Sequence, residues 1–112
     1  MPDDVINNLY TAVDNFIFDL RNGNKIDEEK YHALCNALIS CDSKWKDLES
    51  IPKKAAALLV DLPTSIETCS MWYEDSELSR VREIYLEIHD YVLQIVLPKD
   101  QRRSPKVIPV TP

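Results

Sequence analysis

Two histidines and three cysteines are the residues of this chain whose types could support metal binding or nucleophilic catalysis. Helical di-iron sites need two Glu-x-x-His pairs and two further glutamates that all point inward. Only Glu29 and His32 have this spacing, and on a helical wheel both lie opposite the apolar side of their segment. The cysteines form neither a Cys-x-x-Cys pair nor any other metal-ligand spacing. The sequence therefore predicts no metal and no cofactor.

His89 is the second histidine that could take part in catalysis, because it lies with Arg82 between two apolar arcs of its helix. Its imidazole is either a buried functional group or a partly covered helix residue that pairs with a neighbour. No serine or cysteine is spaced to act as a nucleophile beside it. A chain with one glycine also has no Gly-rich phosphate loop. Helical mutases that bind dicarboxylates need several basic residues that face the core, and in this chain Arg82 is the one candidate. We therefore expect a protein that is not an enzyme.

The acidic residues of the last helix give the clearest indication of function. Glu83, Glu87 and Asp90 follow one another along one polar stripe, with Arg80 at its edge. Like charges four residues apart destabilise a helix by about 0.2–0.5 kcal/mol. A helix optimised for stability alone would carry a lysine at one of these positions. We interpret the stripe as a surface for a basic partner.

A second acidic group, Glu74, Asp75 and Glu77, follows Trp72 just before this helix. Aromatic side chains beside carboxylates are typical anchors of tight interfaces with basic proteins. Helix capping by Asp75 or Ser76, with Trp72 covering the end of the fold, is the alternative explanation, and both roles can hold together. The predicted partner-binding residues are Trp72, Glu74, Asp75, Glu77, Glu83, Glu87 and Asp90.

Charge composition indicates the kind of partner. The chain has 13 basic and 19 acidic residues, and residues 1–97 hold 9 and 18 of these. This excess of negative charge repels nucleic acid and anionic membranes, and it attracts basic proteins over a distance. An acidic surface can also serve solubility alone. We expect a basic protein partner, with neither nucleic acid nor membrane as a ligand.

Cysteine usage and apolar run lengths indicate the compartment. Three cysteines without a paired spacing are typical of a reducing environment. The N-terminal residues have no basic segment followed by a long apolar run, as a secretory signal would. The longest uninterrupted apolar run, from Ala55 to Val60, is too short to cross a bilayer. We therefore expect a cytoplasmic protein.

Apolar residues recurring every three and four positions predict helices throughout residues 1–97. The first runs from about Asp3 to Arg21, where Gly23 suits a left-handed C-terminal cap. The second begins after the N-cap Asp27 and continues to about Glu49, with a break near residue 42 as the alternative. Phe18 lies opposite the apolar side of the first helix, either as an interface contact or as an isolated surface residue.

The third and fourth helices complete the predicted fold. One helix from about residue 52 to 73, kinked at Pro63, keeps its apolar side in phase; two helices with Thr64 as a cap are the alternative. The fourth, Asp75 to Leu97, has the widest apolar arc, so we expect it to be covered on most sides and to contact the most neighbours. Short connections predict an antiparallel four-helix bundle.

Residues 98–112 differ in composition from the rest of the chain. This segment has four prolines and four basic residues and shows no helical periodicity. We expect an extended or disordered tail. It either lies on the acidic helical domain, acts as a short docking motif, or has no particular role.

Residues 1–97 resemble the small acidic helical immunity proteins of bacteria, which protect cells from their own colicin-type or contact-dependent-inhibition toxins. The resemblance consists of size, charge, helical content and the carboxylates Glu83, Glu87 and Asp90. It implies a cytoplasmic inhibitor, comparable to an antitoxin, that covers the nucleic-acid site of a basic nuclease domain. Carboxylates can take the contacts with Arg and Lys that phosphates would otherwise make.

Two functions therefore follow from the sequence. The first is an immunity protein that neutralises a basic toxin domain through its acidic surface. The second is a helical regulatory or adaptor subunit that uses Phe18, or a patch of Ala56, Val60 and Met71, for apolar contacts with partner helices.

Overall fold

The computed structural model describes residues 4–97, and all regular secondary structure in this range is helical. The helices are α1 (Asp4–Arg21), α2 (Glu28–Trp45), α3 (Lys53–Cys69) and α4 (Asp75–Val96), with a 3₁₀ turn at Ser70–Trp72. The all-helical prediction is confirmed. The tail predicted for residues 98–112 lies outside the described residues. Within residues 4–97, no helix has the length and apolar character needed to cross a membrane.

The C-terminal end of α1 and the N-terminal end of α2 are capped by the residues predicted for these positions. Gly23 follows α1 with φ of +65°, and its backbone N–H donates to the Leu20 carbonyl at 3.1 Å. The Asp27 carboxylate accepts from the backbone N–H groups of Glu29 at 3.0 Å and Lys30 at 3.2 Å. These contacts satisfy backbone groups that a helix end leaves unpaired.

The C-terminal end of α2 differs from the prediction. The helix continues past residue 42 but ends at Trp45, not near Glu49. Leu48, which continues the apolar periodicity, is 50% exposed and donates its N–H to the Trp45 carbonyl in a turn. Without a core surface for Leu48 to cover, another helical turn would gain no burial energy.

Helix α3 passes through Pro63 without a break, so the single-helix prediction is confirmed over the two-helix alternative. It ends at Cys69, and the 3₁₀ turn replaces the last turn predicted to reach residue 73. Tyr73 still joins the core, and its hydroxyl donates to the Asn24 carbonyl at 2.6 Å.

The prediction that α4 is covered on most sides is wrong. One face of α4 is buried, and Leu86 on the opposite side is 62% exposed. The contacts of α4 are with α2, α3 and the 3₁₀ turn, so it has no more neighbours than α1, which contacts α2, α3 and the same turn. Two flanking helices cover only one side of a helix, whatever the width of its apolar arc. The buried residues of α4 are Val81, Ile84, Ile88, Val92 and Ile95.

The helices pack in the order α1, α2, α4, α3 around one hydrophobic core. Within the described residues, no Cα atom of α1 lies within 8 Å of one in α4, and none of α2 within 8 Å of one in α3. Between α2 and α4, Glu28 meets Arg80 and Tyr31 meets Glu87, so residue numbers rise in the same direction along both helices. This arrangement brings the polar stripe of α4 against the first turns of α2.

Candidate functional site

Arg80 is the centre of the polar contacts between α2 and α4. Its Nε and Nη2 donate to Oε2 and Oε1 of Glu28 at 2.9 and 2.8 Å, and its Nη1 donates to Glu83 Oε1 at 3.1 Å. The guanidinium also lies 5.3 Å from the centroid of the Tyr31 ring. The planar guanidinium suits both the two-bond contact with Glu28 and the ring contact.

These contacts change the acid strength of the groups involved. Hydrogen bonds from Arg80 lower the pKa of Glu28 below its usual value, although partial desolvation opposes this shift. The same bonds raise the pKa of Arg80. The carboxylate and the guanidinium therefore each stabilise the charged form of the other.

Tyr31 holds the next carboxylate in the stripe. Its hydroxyl donates to Glu87 Oε1, while its ring is almost completely buried. Burial, and then the bond to Glu87, raise the pKa of Tyr31 far above its usual value. The half-buried Cys35 thiol lies beside Tyr31, and burial raises its pKa as well. Glu87 is thus held by a phenol that remains protonated.

The predicted stripe of carboxylates is present at the surface of α4. Glu83, Glu87 and Asp90 are all exposed. Glu83 is held by Arg80 and Glu87 by Tyr31. We call these three residues, together with Glu28 of α2, the α2–α4 acidic surface. Two of the four carboxylates are bonded to the Arg80 guanidinium and a third to the Tyr31 hydroxyl, so this surface carries a local excess of negative charge.

The second predicted group lies at the start of α4. Trp72 is 59% exposed, and Glu74, Asp75 and Glu77 are exposed. Glu74 precedes the first helical residue but makes no side-chain cap, and Asp75 has φ of +55°. The explanation that Asp75 or Ser76 caps the helix is therefore wrong, since the helix begins at Asp75, one residue too early for a cap at Asp75 and two too early for a cap at Ser76.

The start of α4, with the Arg80 and Glu28 end of the acidic surface, lies at the same end of the molecule as the α1–α2 connection. Tyr73 bonds to Asn24 in that connection, and Arg80 bonds to Glu28 just after it. A Cβ placed on Gly23 would lie 3.7 Å from Cβ of Trp72. Trp72 therefore lies beside the α1–α2 connection and leaves most of its indole exposed.

Both histidines lie at the surface. His89 is exposed, with its ring 6.0 Å from that of Tyr85, so the buried alternative is wrong. His32 is also exposed and lies 6.2 Å from the Tyr31 ring. Over residues 4–97, no three His, Cys, Asp or Glu side chains are grouped closely enough to hold a metal ion.

Sequence reasoning did not find Glu28 and Tyr31 as parts of this site. Glu28 has the sequence features of a first-turn acid, and Tyr31 those of a core residue. Their partners Arg80 and Glu87 are more than fifty residues away, so helical spacing gives no information about these contacts. The one available signal was Arg80, a single base at the edge of an acidic stripe.

A second surface lies on α1 and α3. Phe18 is 64% exposed beside a groove of about 290 Å³, whose apolar lining includes Val13, Ile17, Leu58 and Leu62. Val60 and Met71 are also exposed, whereas Ala56 is half-buried. These residues supply the apolar surface that the adaptor hypothesis requires.

Comparisons with protein-family models, curated proteins and solved structures gave no match for this chain.

Proposed function

We propose that this protein is an immunity protein: a binding protein that neutralises a basic toxin domain, most simply a nuclease, through the α2–α4 acidic surface. One observation carries the proposal, namely four exposed carboxylates on two adjacent helices, of which Arg80 holds Glu28 and Glu83 and Tyr31 holds Glu87. Such a surface offers oxygen acceptors to Arg and Lys side chains that would otherwise bind phosphates.

Preorganisation of the carboxylates supports tight binding. Arg80 fixes Glu28 and Glu83, and Tyr31 fixes Glu87, before any partner arrives. A side chain that is already held loses less conformational entropy when it forms an interface. Asp90 extends the same surface by one turn, and Trp72, Glu74, Asp75 and Glu77 would add an aromatic anchor with further negative charge at its end.

The proposal includes a particular arrangement of the fold. The helices would form a four-helix bundle with antiparallel hairpins, and α3 would kink at Pro63. For the α1–α2 hairpin this is supported by Lys30 contacting Asp19 near the connection while Cys41 contacts Val5 at the far end. Such an inhibitor would act in the cytoplasm.

Charge reversal tests the proposed interface. The variant E83K/E87K/D90K should fail to capture a basic protein that the unaltered chain captures from its native cells. The matched control E29K/E49K/E67K makes the same change in charge at exposed positions elsewhere. Capture is measured with tagged protein and mass spectrometry, and circular dichroism checks that both variants are folded. If the first variant captures the same partner as well as the control does, the acidic surface is not the interface.

Salt dependence tests the electrostatic part of the mechanism. The association rate with the captured partner should fall about tenfold between low and physiological ionic strength, because long-range attraction is screened. Stopped-flow mixing measures this rate. An association rate that does not change with salt would contradict an interface led by charge.

The second candidate, a helical adaptor, is favoured by a different observation. Phe18, Val60 and Met71 are large apolar side chains that face solvent on the described part of the chain. Apolar docking through them would respond little to salt and would survive reversal of Glu83, Glu87 and Asp90. The two experiments above therefore separate the candidates.

A further inference from the structure

Helix α1 carries an exposed aromatic residue between opposite charges. Asp14, Phe18 and Arg21 are spaced by four and three residues, so they follow one another along one side of the helix. All three are exposed, and this side of α1 faces away from α2. We call these three residues the α1 stripe, and none of them belongs to the α2–α4 acidic surface.

Helix α3 extends this stripe into a broader face. Phe18 borders the groove described above, whose apolar floor is formed by Val13 and Ile17 of α1 with Leu58 and Leu62 of α3. Asp61 lies on its α3 side, where it accepts a hydrogen bond from Ser65 Oγ at 3.0 Å. An apolar groove bordered by both acidic and basic groups is best complemented by an occupant that presents both signs of charge.

The spacing of the stripe is complementary to itself. At 1.5 Å per residue, Asp14 lies about 6 Å before Phe18 along the axis, and Arg21 about 4.5 Å after it. A two-fold axis through Phe18, perpendicular to α1, reverses the direction of the helix. It places Arg21 of each copy opposite Asp14 of the other, with the two Phe18 rings meeting near the axis.

We propose that the occupant of the α1–α3 face is a second copy of this chain, bound through Asp14, Phe18 and Arg21 about a two-fold axis. A partner with only basic or only acidic groups would leave one of these charges without a counterpart, whereas a second copy supplies both. Helices α1 and α3 are neighbours on the side of the packing order away from the α2–α4 seam. The pairing therefore leaves the α2–α4 acidic surface open, and it does not depend on the proposed function.

Single charge reversals test the pairing. The full chain should dimerise with concentration in sedimentation velocity. D14R alone places Arg against Arg twice, and R21D alone places Asp against Asp twice. Each change should weaken dimerisation by at least about tenfold. Both side chains are exposed, so the folded monomer should persist, as circular dichroism will show.

Mixing the two variants gives the decisive measurement. An equimolar mixture of D14R and R21D pairs Arg with Asp at both contacts, so the mixed dimer should form with an affinity close to that of the unaltered chain. The double variant D14R/R21D should recover for the same reason. Failure of the mixture and of the double variant to recover would overturn the proposed geometry.

An aromatic substitution tests the centre of the interface. F18S should abolish dimerisation, and V60S, at another exposed position, should leave it unchanged. An unaltered chain that remains monomeric at all concentrations overturns the proposal. So does dimerisation of F18S equal to that of the unaltered chain, or loss of dimerisation in V60S alone.

Discussion

At the scale of single residues, Tyr31 connects the core to the acidic surface. The centroid of its ring lies 5.6 Å from that of Phe16, the Arg80 guanidinium lies over its ring, and its hydroxyl donates to Glu87. A side chain with an apolar ring and a polar tip can serve a core and a surface together. The position of Glu87 is therefore determined from within the core.

Removal of this hydroxyl should destabilise the fold. Y31F keeps the ring but leaves the Glu87 carboxylate without its donor, and we expect the free energy of unfolding to fall by about 1 kcal/mol. Urea denaturation measures it. Y85F is the matched control, since Tyr85 is half-buried and contacts the His89 ring. Equal stability changes in the two variants would show that the bond to Glu87 contributes nothing.

Cys41 should make stability depend on alkaline pH. Burial raises the pKa of its thiol from the ordinary 9.0 to about 11. The folded state therefore keeps its proton where the unfolded state loses it. The protonated thiol makes its full contribution to the free energy of unfolding below pH 9. This contribution is lost as the pH rises to about 11, and the free energy of unfolding falls by up to about 1.4 kcal/mol per pH unit.

The variant C41A isolates this effect. The cavity it creates destabilises the protein at every pH, but the variant lacks the titration. The difference in unfolding free energy between the unaltered chain and C41A should therefore shrink between pH 8 and pH 11, as urea denaturation would measure. A difference that stays constant would show that the thiol does not titrate differently in the two states.

At the scale of elements, α3 carries a buried proline in its interior. Pro63 cannot donate a backbone hydrogen bond to the preceding turn, yet its ring is part of the covered surface of the helix. P63A restores the donor, worth about 3 kcal/mol of helix propensity, and removes about 1.6 kcal/mol of buried apolar groups. We expect a net gain in unfolding free energy of about 1 kcal/mol by urea denaturation.

Pro52 offers the control for this substitution. It is exposed at the N-cap of α3, where a missing N–H costs the helix nothing, so P52A should change the stability little. A loss of stability in P63A would mean that packing of the proline ring outweighs the missing bond.

The number and positions of the helices were predictable from the sequence, because apolar spacing and the caps at Gly23 and Asp27 act within a few residues. The end of α2 and the exposure of Leu86 were not. Both depend on which helices lie nearby, and the sequence pattern of one helix cannot supply that information. The same holds for the candidate site: Glu83, Glu87 and Asp90 share a helix, but their link to Glu28 and Tyr31 crosses between helices.

At the scale of the whole molecule, acidic residues outnumber the basic residues that could neutralise them. The chain has a net charge of −6, and its ion pairs include those of Lys30 with Asp19 and of Arg80 with Glu28 and Glu83. These pairs are partly exposed to solvent, so each adds little stability. The repulsion that comes with the net negative charge opposes folding.

Salt should therefore stabilise the monomer. Raising sodium chloride from about 0.01 M to about 0.2 M screens the repulsion and should raise the free energy of unfolding by on the order of 1 kcal/mol or less. Thermal unfolding of F18S, which should stay monomeric, measures it. Adding E29K/E49K/E67K to F18S brings the net charge to zero, and the gain should then disappear. If salt raises the free energy of unfolding equally in F18S and in the variant of zero net charge, salt acts by strengthening hydrophobic burial and not by screening charge.

The packing order of the helices divides the molecule into two pairs of consecutive helices, α1–α2 and α3–α4. Residues 46–52 are the covalent connection between the two pairs. Because α2 and α3 are not adjacent in the packing order, this connection joins two helices that are not neighbours. Most of it is exposed. A break in the chain here leaves every helix intact, so two separately made halves should find each other and rebuild the core by fragment complementation.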